Sequence, residues 1–136
     1  MTPSIPGLSG GTSILLRANQ VVSAGAARSA ANAYILELIN IVSGAHTSWR
    51  LLCMRTKTGA KSKIFDITNG ISIEGTDTTL RPLADTFFRV GSTTIDYNGE
   101  SDISAAAIYS AYLTDSEINE VAAVMRKRMA RLGITV

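Results

Sequence analysis

The chain has 136 residues, 46% of them apolar and 18% charged, with a formal net charge of +2. That composition supplies a core for one domain of ordinary size, argues against disorder, and is too weakly basic to indicate nucleic-acid binding by itself. No apolar run approaches the roughly 18 residues of a membrane span, the start of the chain lacks a basic-then-apolar leader, and a lone cysteine, Cys53, forms no intrachain disulfide, so a soluble protein made in a reducing compartment is expected.

Residues 1–12 hold two of the three prolines and three glycines. They read as a flexible arm outside the domain, either a free tail or an arm lying on a neighbouring subunit. Residues 13–22 (SILLRANQVV) suit a strand. The Ala-rich AGAARSAAN that follows has helix propensity, but Gly25 and its polar residues equally suit a loop. Residues 33–42 (AYILELINIV) are apolar at both odd and even positions, the pattern of a strand covered on both faces. A helix through 26–42 is the alternative.

From residue 47 the β-signal strengthens. Residues 48–56 (SWRLLCMRT) lead into the turn Lys57-Thr58-Gly59, residues 61–68 (KSKIFDIT) lead into Asn69-Gly70, a hairpin dipeptide tolerant of positive φ, and residues 71–75 return. Residues 78–82 and 86–91 add strand-like pieces, Asn98-Gly99 marks a further turn, and residues 102–112 (DISAAAIYSAY) read as a long strand. A helix then starts at a capping box, Thr114-Asp115-Ser116-Glu117, with Leu113 and Ile118 placed for the hydrophobic staple. Ile118, Val121, Ala122, Met125, Met129 and Leu132 form one apolar stripe. Acids (Asp115, Glu117, Glu120) at the start and bases (Arg126, Lys127, Arg128, Arg131) at the end suit the helix dipole. Gly133 supplies the stop.

The stretch from Phe88 onward contains Arg89-Val90-Gly91, Tyr97-Asn98-Gly99, Ile108-Tyr109, Leu113-Thr114-Asp115, Glu117-Ile118 and Leu132-Gly133-Ile134. In that order these resemble the closing segment of concanavalin-like, or laminin-G-like, jelly-roll domains. Ser101 departs from the pattern, which has an apolar residue after the Asn-Gly turn. Residues 49–69 match the family's central strand and hairpin more loosely, and the first third does not match. The chain is short for a full domain of this kind, so the resemblance implies a sandwich that is abbreviated or completed by another chain. Versions with this short ending and a basic helix resemble domains of phage virion proteins, in tail fibres or capsid appendages.

Residues with chemical potential are sparse. His46, the single histidine, sits in a predicted loop near Ser48 and Cys53, and sequence proximity alone does not make a triad. Cys53 lies in an apolar strand and reads as a small core residue. Glu100 and Asp102 are the carboxylates a jelly-roll glycosidase would use, but no aromatic platform accompanies them. Asp96, Asn98, Glu100 and Asp102 alternate through one loop, a pattern able to present oxygens to calcium, although the EF-hand spacing is absent. Asp96, Asn98 and Asp102 are the metal candidates; Tyr97, Asn98 and Glu100 are the ligand candidates, Tyr97 being the aromatic placed at a turn. The run Arg126-Lys127-Arg128 reads as a solvated helix end or as an interaction surface for an acidic neighbour or charged glycan.

The sequence thus predicts an all-β jelly-roll sandwich over residues 13–136, closed by an amphipathic helix at 114–132. No cofactor beyond calcium is indicated. The resemblance implies a virion component, made in the host cytoplasm, that assembles with itself and other virion proteins, with display of a face to a host glycan as an additional option. The sparse catalytic residues make it non-enzymatic, and charge and hydropathy indicate neither nucleic-acid binding nor membrane insertion. A carbohydrate-binding module of a cellular surface or secreted protein is the alternative.

Overall fold

Two antiparallel three-stranded sheets and one C-terminal helix are seen in a computed structural model that describes residues 11–17, 21–30, 33–42, 48–82, 90–91 and 102–136. The first sheet has the order β1 (Thr12–Arg17), β2 (Val21–Ala30), β3 (Ala33–Val42). Val22 stands opposite Leu16 and Ile41, and Ala24 opposite Ile14 and Ile39. The predicted single strand over 13–22 is therefore two strands, β1 ending at Arg17 and β2 beginning at Val21. The Ala-rich stretch is neither helix nor loop but the body of β2, and its ladder with β3 excludes a helix through 26–42. Tertiary context overrides propensity because β2 is the central strand. Every residue from Val22 to Arg28 is buried, and side chains as small as Ala, Ser and Gly let both faces be covered.

The second sheet has the order β4 (Leu52–Lys57), β5 (Ala60–Asp66), β6 (Ile71–Glu74), the meander that the sequence predicts, although β4 begins at Leu52 rather than at 48 and residues 67–68 belong to the second turn rather than to the strand. Asp66, wholly buried, accepts from the Asn69 backbone N–H (3.1 Å) and side-chain amide (2.7 Å), and so ties the second turn through an Asx-type link. The sheets meet through Val22, Ala24, Ile39 and Ile41 on one side and Ile64, Leu52 and Met54 on the other. Ile14 and Leu16 share the core-facing side of the first sheet, yet are 40% and 50% exposed. Ile71 and Ile73 share the Ile64 side of the second sheet, yet are 37% and 39% exposed. The apolar inner face is thus wider than its cover.

Three expectations change. Residues 102–112 form no strand. What ties their end to the second sheet is side chain to backbone, Tyr112 Oη donating to the Lys61 carbonyl (3.4 Å) and Arg55 donating to the Leu113 carbonyl (2.9 Å), in place of a ladder. Their alanines and serines offer little surface to bury. Residues 78–82 contribute one isolated bridge, Leu80 to Ser29, rather than a strand. Thr12, assigned to the arm, begins β1. Residues 1–10, 86–89 and the Asn98-Gly99 turn lie outside the described residues.

The junction between the sheets is polar at one end. Arg28, with no exposed side-chain surface, spends all five N–H donors. Its Nε donates to Glu37 on β3 (3.2 Å), one terminal nitrogen to the carbonyls of Lys57 (3.1 Å) and Thr79 (3.0 Å), the other to the Ala60 carbonyl (3.0 Å) and Ser62 Oγ (2.6 Å). Glu37 completes the network by accepting from the backbone N–H groups of Thr76 and Asp77, both at 2.9 Å. Gly75 is required by this approach, because a Cβ there would overlap the Glu37 carboxylate. Arg28→Ala is expected to lower the unfolding free energy in urea by about 3–5 kcal/mol, since it leaves Glu37 without its cation and two pairs of acceptors dry. Arg28→Lys should recover only part of this, having three donors for five acceptors. Gly75→Ala should cost about 1–3 kcal/mol in the same assay through overpacking.

Candidate functional site

The helix α1 (Asp115–Arg131) is built at both ends by its own sequence. Thr114 Oγ1 accepts from the Glu117 backbone N–H (3.2 Å) and Glu117 Oε2 accepts from the Thr114 backbone N–H (2.7 Å), the reciprocal capping box. At the other end Gly133, at φ +73°, bonds Ala130 O and Ile134 bonds Met129 O, closing the helix in a Schellman turn. Ile118, Ala122 and Met129 are buried and Val121 and Met125 half-buried, as the stripe predicts, but Leu132 is the C-terminal cap and is 60% exposed.

Polar contacts near both ends add to the buried stripe in placing the helix. Asp115 bridges two cations of the second sheet, Arg55 of β4 at 2.5 Å and Lys63 of β5 at 2.9 Å. Eleven residues on, Arg126 donates to the carbonyl of Ile67, just past β5 (3.0 Å), and to that of Val136 (3.3 Å). Eleven helical residues rise roughly 16 Å and the four strand residues from Lys63 to Ile67 about 13 Å, so α1 runs alongside β5 in the same direction. The Arg55 guanidinium lies 5.3 Å from the Phe65 ring centre and 5.0 Å from that of Tyr112, which Lys57 also approaches at 4.3 Å. The Lys63 hydrogen bond, with the Arg55 charge, holds the Asp115 carboxyl below the usual carboxylate range, and the Thr114 amide does the same for Glu117.

The basic run of α1 is divided. Arg126 is committed to Ile67 and Val136, whereas Lys127 and Arg128 are exposed and, with Val124, Arg131 and Leu132, line an open groove. A neighbouring groove, formed by Tyr109, Glu120, Val121, Val124 and Met125, shares Val124 with it. Val124 is 66% exposed and Tyr109 51%. Asp102 is exposed. Asp96, Tyr97, Asn98, Glu100 and His46 lie outside the described residues. Among the described residues no three His, Cys, Asp or Glu side chains gather as metal ligands, and no helix is long and apolar enough to cross a membrane. Burial raises the Cys53 thiol above its ordinary value, an effect the nearby Arg55 charge opposes, so the thiol stays protonated at neutral pH. The cluster of Arg55, Lys57, Lys63, Tyr112 and Asp115 escaped the sequence reading. Its one signal was the alternation of bases at 55 and 57 before the turn and at 61 and 63 after it; in the hairpin Arg55 stands opposite Lys63, and a register shift follows before Lys57.

No family model, curated protein or solved structure matches the chain.

The depressed carboxyls set the direction of the acid response. Because Asp115 and Glu117 titrate lower folded than unfolded, their stabilisation is full above the unfolded values near pH ~4 and is lost as the pH falls through the folded ones. Melting temperature should hold from pH 7 to about 5 and drop below about 4, and Asp115→Asn should flatten part of that drop. Thr114→Ala, which removes the cap, should cost about 0.5–2 kcal/mol in thermal or urea unfolding at pH 7.

Proposed function

We propose that the chain is a non-enzymatic structural subunit of a phage virion, a capsid-decoration or tail-appendage protein that assembles with copies of itself and with other virion proteins. One observation carries this reading: large apolar side chains stand in register with the core, or on the helix that flanks it, and remain uncovered. Ile14 and Leu16 continue the inner face of the first sheet at β1, Ile71 and Ile73 that of the second at β6, and Val124 on α1 and Leu132 at its cap are 66% and 60% exposed. Uncovered apolar side chains that continue a core face favour association, because burial against a neighbour recovers roughly 25 cal/mol for each Å² removed from water. The virion setting comes from the resemblance of residues 88–134 to the closing segment of concanavalin-like domains, and the jelly-roll arrangement of the sheets belongs to the same proposal.

A second reading has its own support. Trp49 and Tyr109 are 41% and 51% exposed, and exposed aromatic faces are what a carbohydrate-binding module offers a sugar ring. The native mass of the full chain across a concentration series separates the two. Dimers or larger assemblies that grow with concentration are the expected result. A monomer at every concentration that binds oligosaccharides on a glycan array would replace the virion subunit with the carbohydrate-binding module.

A further inference from the structure

The exposed face of α1 has a charge order that suits a second copy of itself. At 100° per residue, Glu120, Val124, Lys127, Arg128 and Arg131 fall within about a 100° arc, turned away from the buried Ile118, Ala122 and Met129. Along that arc the carboxylate comes first, the exposed Val124 is central, and the bases follow. A parallel copy would bring like charges together. An antiparallel copy brings each end against its opposite.

We propose that this face of α1 is a two-fold docking surface for a second copy of this chain, with the helices antiparallel and crossing at Val124. The proposal rests on the reading of the protein as a self-assembling subunit and names the surface used. A two-fold axis at Val124 sets Glu120 against the partner's Arg128, and by symmetry each pair occurs twice. Glu117 is already held by the Thr114 backbone N–H and hydroxyl, so Glu120 is the acid free to reach across. The groove of Tyr109, Val121, Val124 and Met125 then faces the partner's half that carries Leu132, which puts apolar surface on apolar surface. A 17-residue helix is about 25 Å long, and a pair of this length lies near or below the roughly 1,200 Å² at which interfaces become stable. The contact is therefore concentration-dependent, and its charges set orientation more than strength.

The test uses the full chain and sedimentation over a concentration series. Glu120→Arg and Arg128→Glu alone should each weaken self-association roughly tenfold, while an equimolar mixture of the two variants, or one chain carrying both, should restore it. All of these side chains are exposed, so circular dichroism should be unchanged. Val124→Cys in a Cys53→Ser background should form a disulfide-linked dimer on mild oxidation. Association that persists unchanged in both single variants, with no cross-link at 124, overturns this surface and leaves the self-assembling subunit standing on another one. A wild-type chain that stays monomeric throughout overturns both.

Discussion

The buried guanidinium of Arg28 is the constraint on which the rest of the arrangement depends. Placing a cation where no water reaches it is costly unless every donor is met. Here the acceptors come from β3, from both sides of the β4–β5 turn, from Ser62 within β5 and from Thr79 beyond β6. The apolar residues around Ile64 would tolerate small slides of one sheet over the other, since dispersion and burial have no direction. Five directed hydrogen bonds do not tolerate them. The apolar core holds the two sheets together, and Arg28 with Glu37 fixes how they sit.

Much of the second sheet and the helix was legible in the sequence because their signals are local. Asn69-Gly70 names a hairpin, Lys57-Thr58-Gly59 a turn, and Thr114 with Glu117 a helix start, each through groups within four residues of one another. What escaped depends on distant partners. The Ala-rich β2 has weak local preference, and only pairing on both sides with β1 and β3 makes it a strand. Arg28 sits in that same bland stretch, and nothing nearby in sequence announces that its partners lie 9 to 51 residues away. Residues 102–112 failed in the other direction, since apolar and small residues read as a strand while no ladder forms to hold them in one.

The candidate surface shows the same division. Three consecutive bases, Arg126-Lys127-Arg128, looked like one patch, but neighbouring residues on a helix point 100° apart. Arg126 turns toward the second sheet and caps the Ile67 carbonyl, while Arg128 joins Val124 and Arg131 on the open side. One member of the run is therefore an anchor and the others are free to meet a partner. The anchoring cluster around Asp115 explains how this open side is presented at a fixed orientation, because the helix is pinned near both ends.

The long reach of the Arg28 hydrogen bonds has a consequence for how the chain folds. Loop closure between residues 28 and 79 must be achieved before the last acceptor is in place, and such closure is slow relative to forming a turn. During synthesis, β1, β2 and β3 emerge first and can pair, but the end of β2 stays solvated until the β4–β5 hairpin and the segment after β6 have left the ribosome. Dehydrating a charge ahead of its partners is unfavourable, so this corner closes late. By the same reasoning it is the place where water returns early when the protein unfolds.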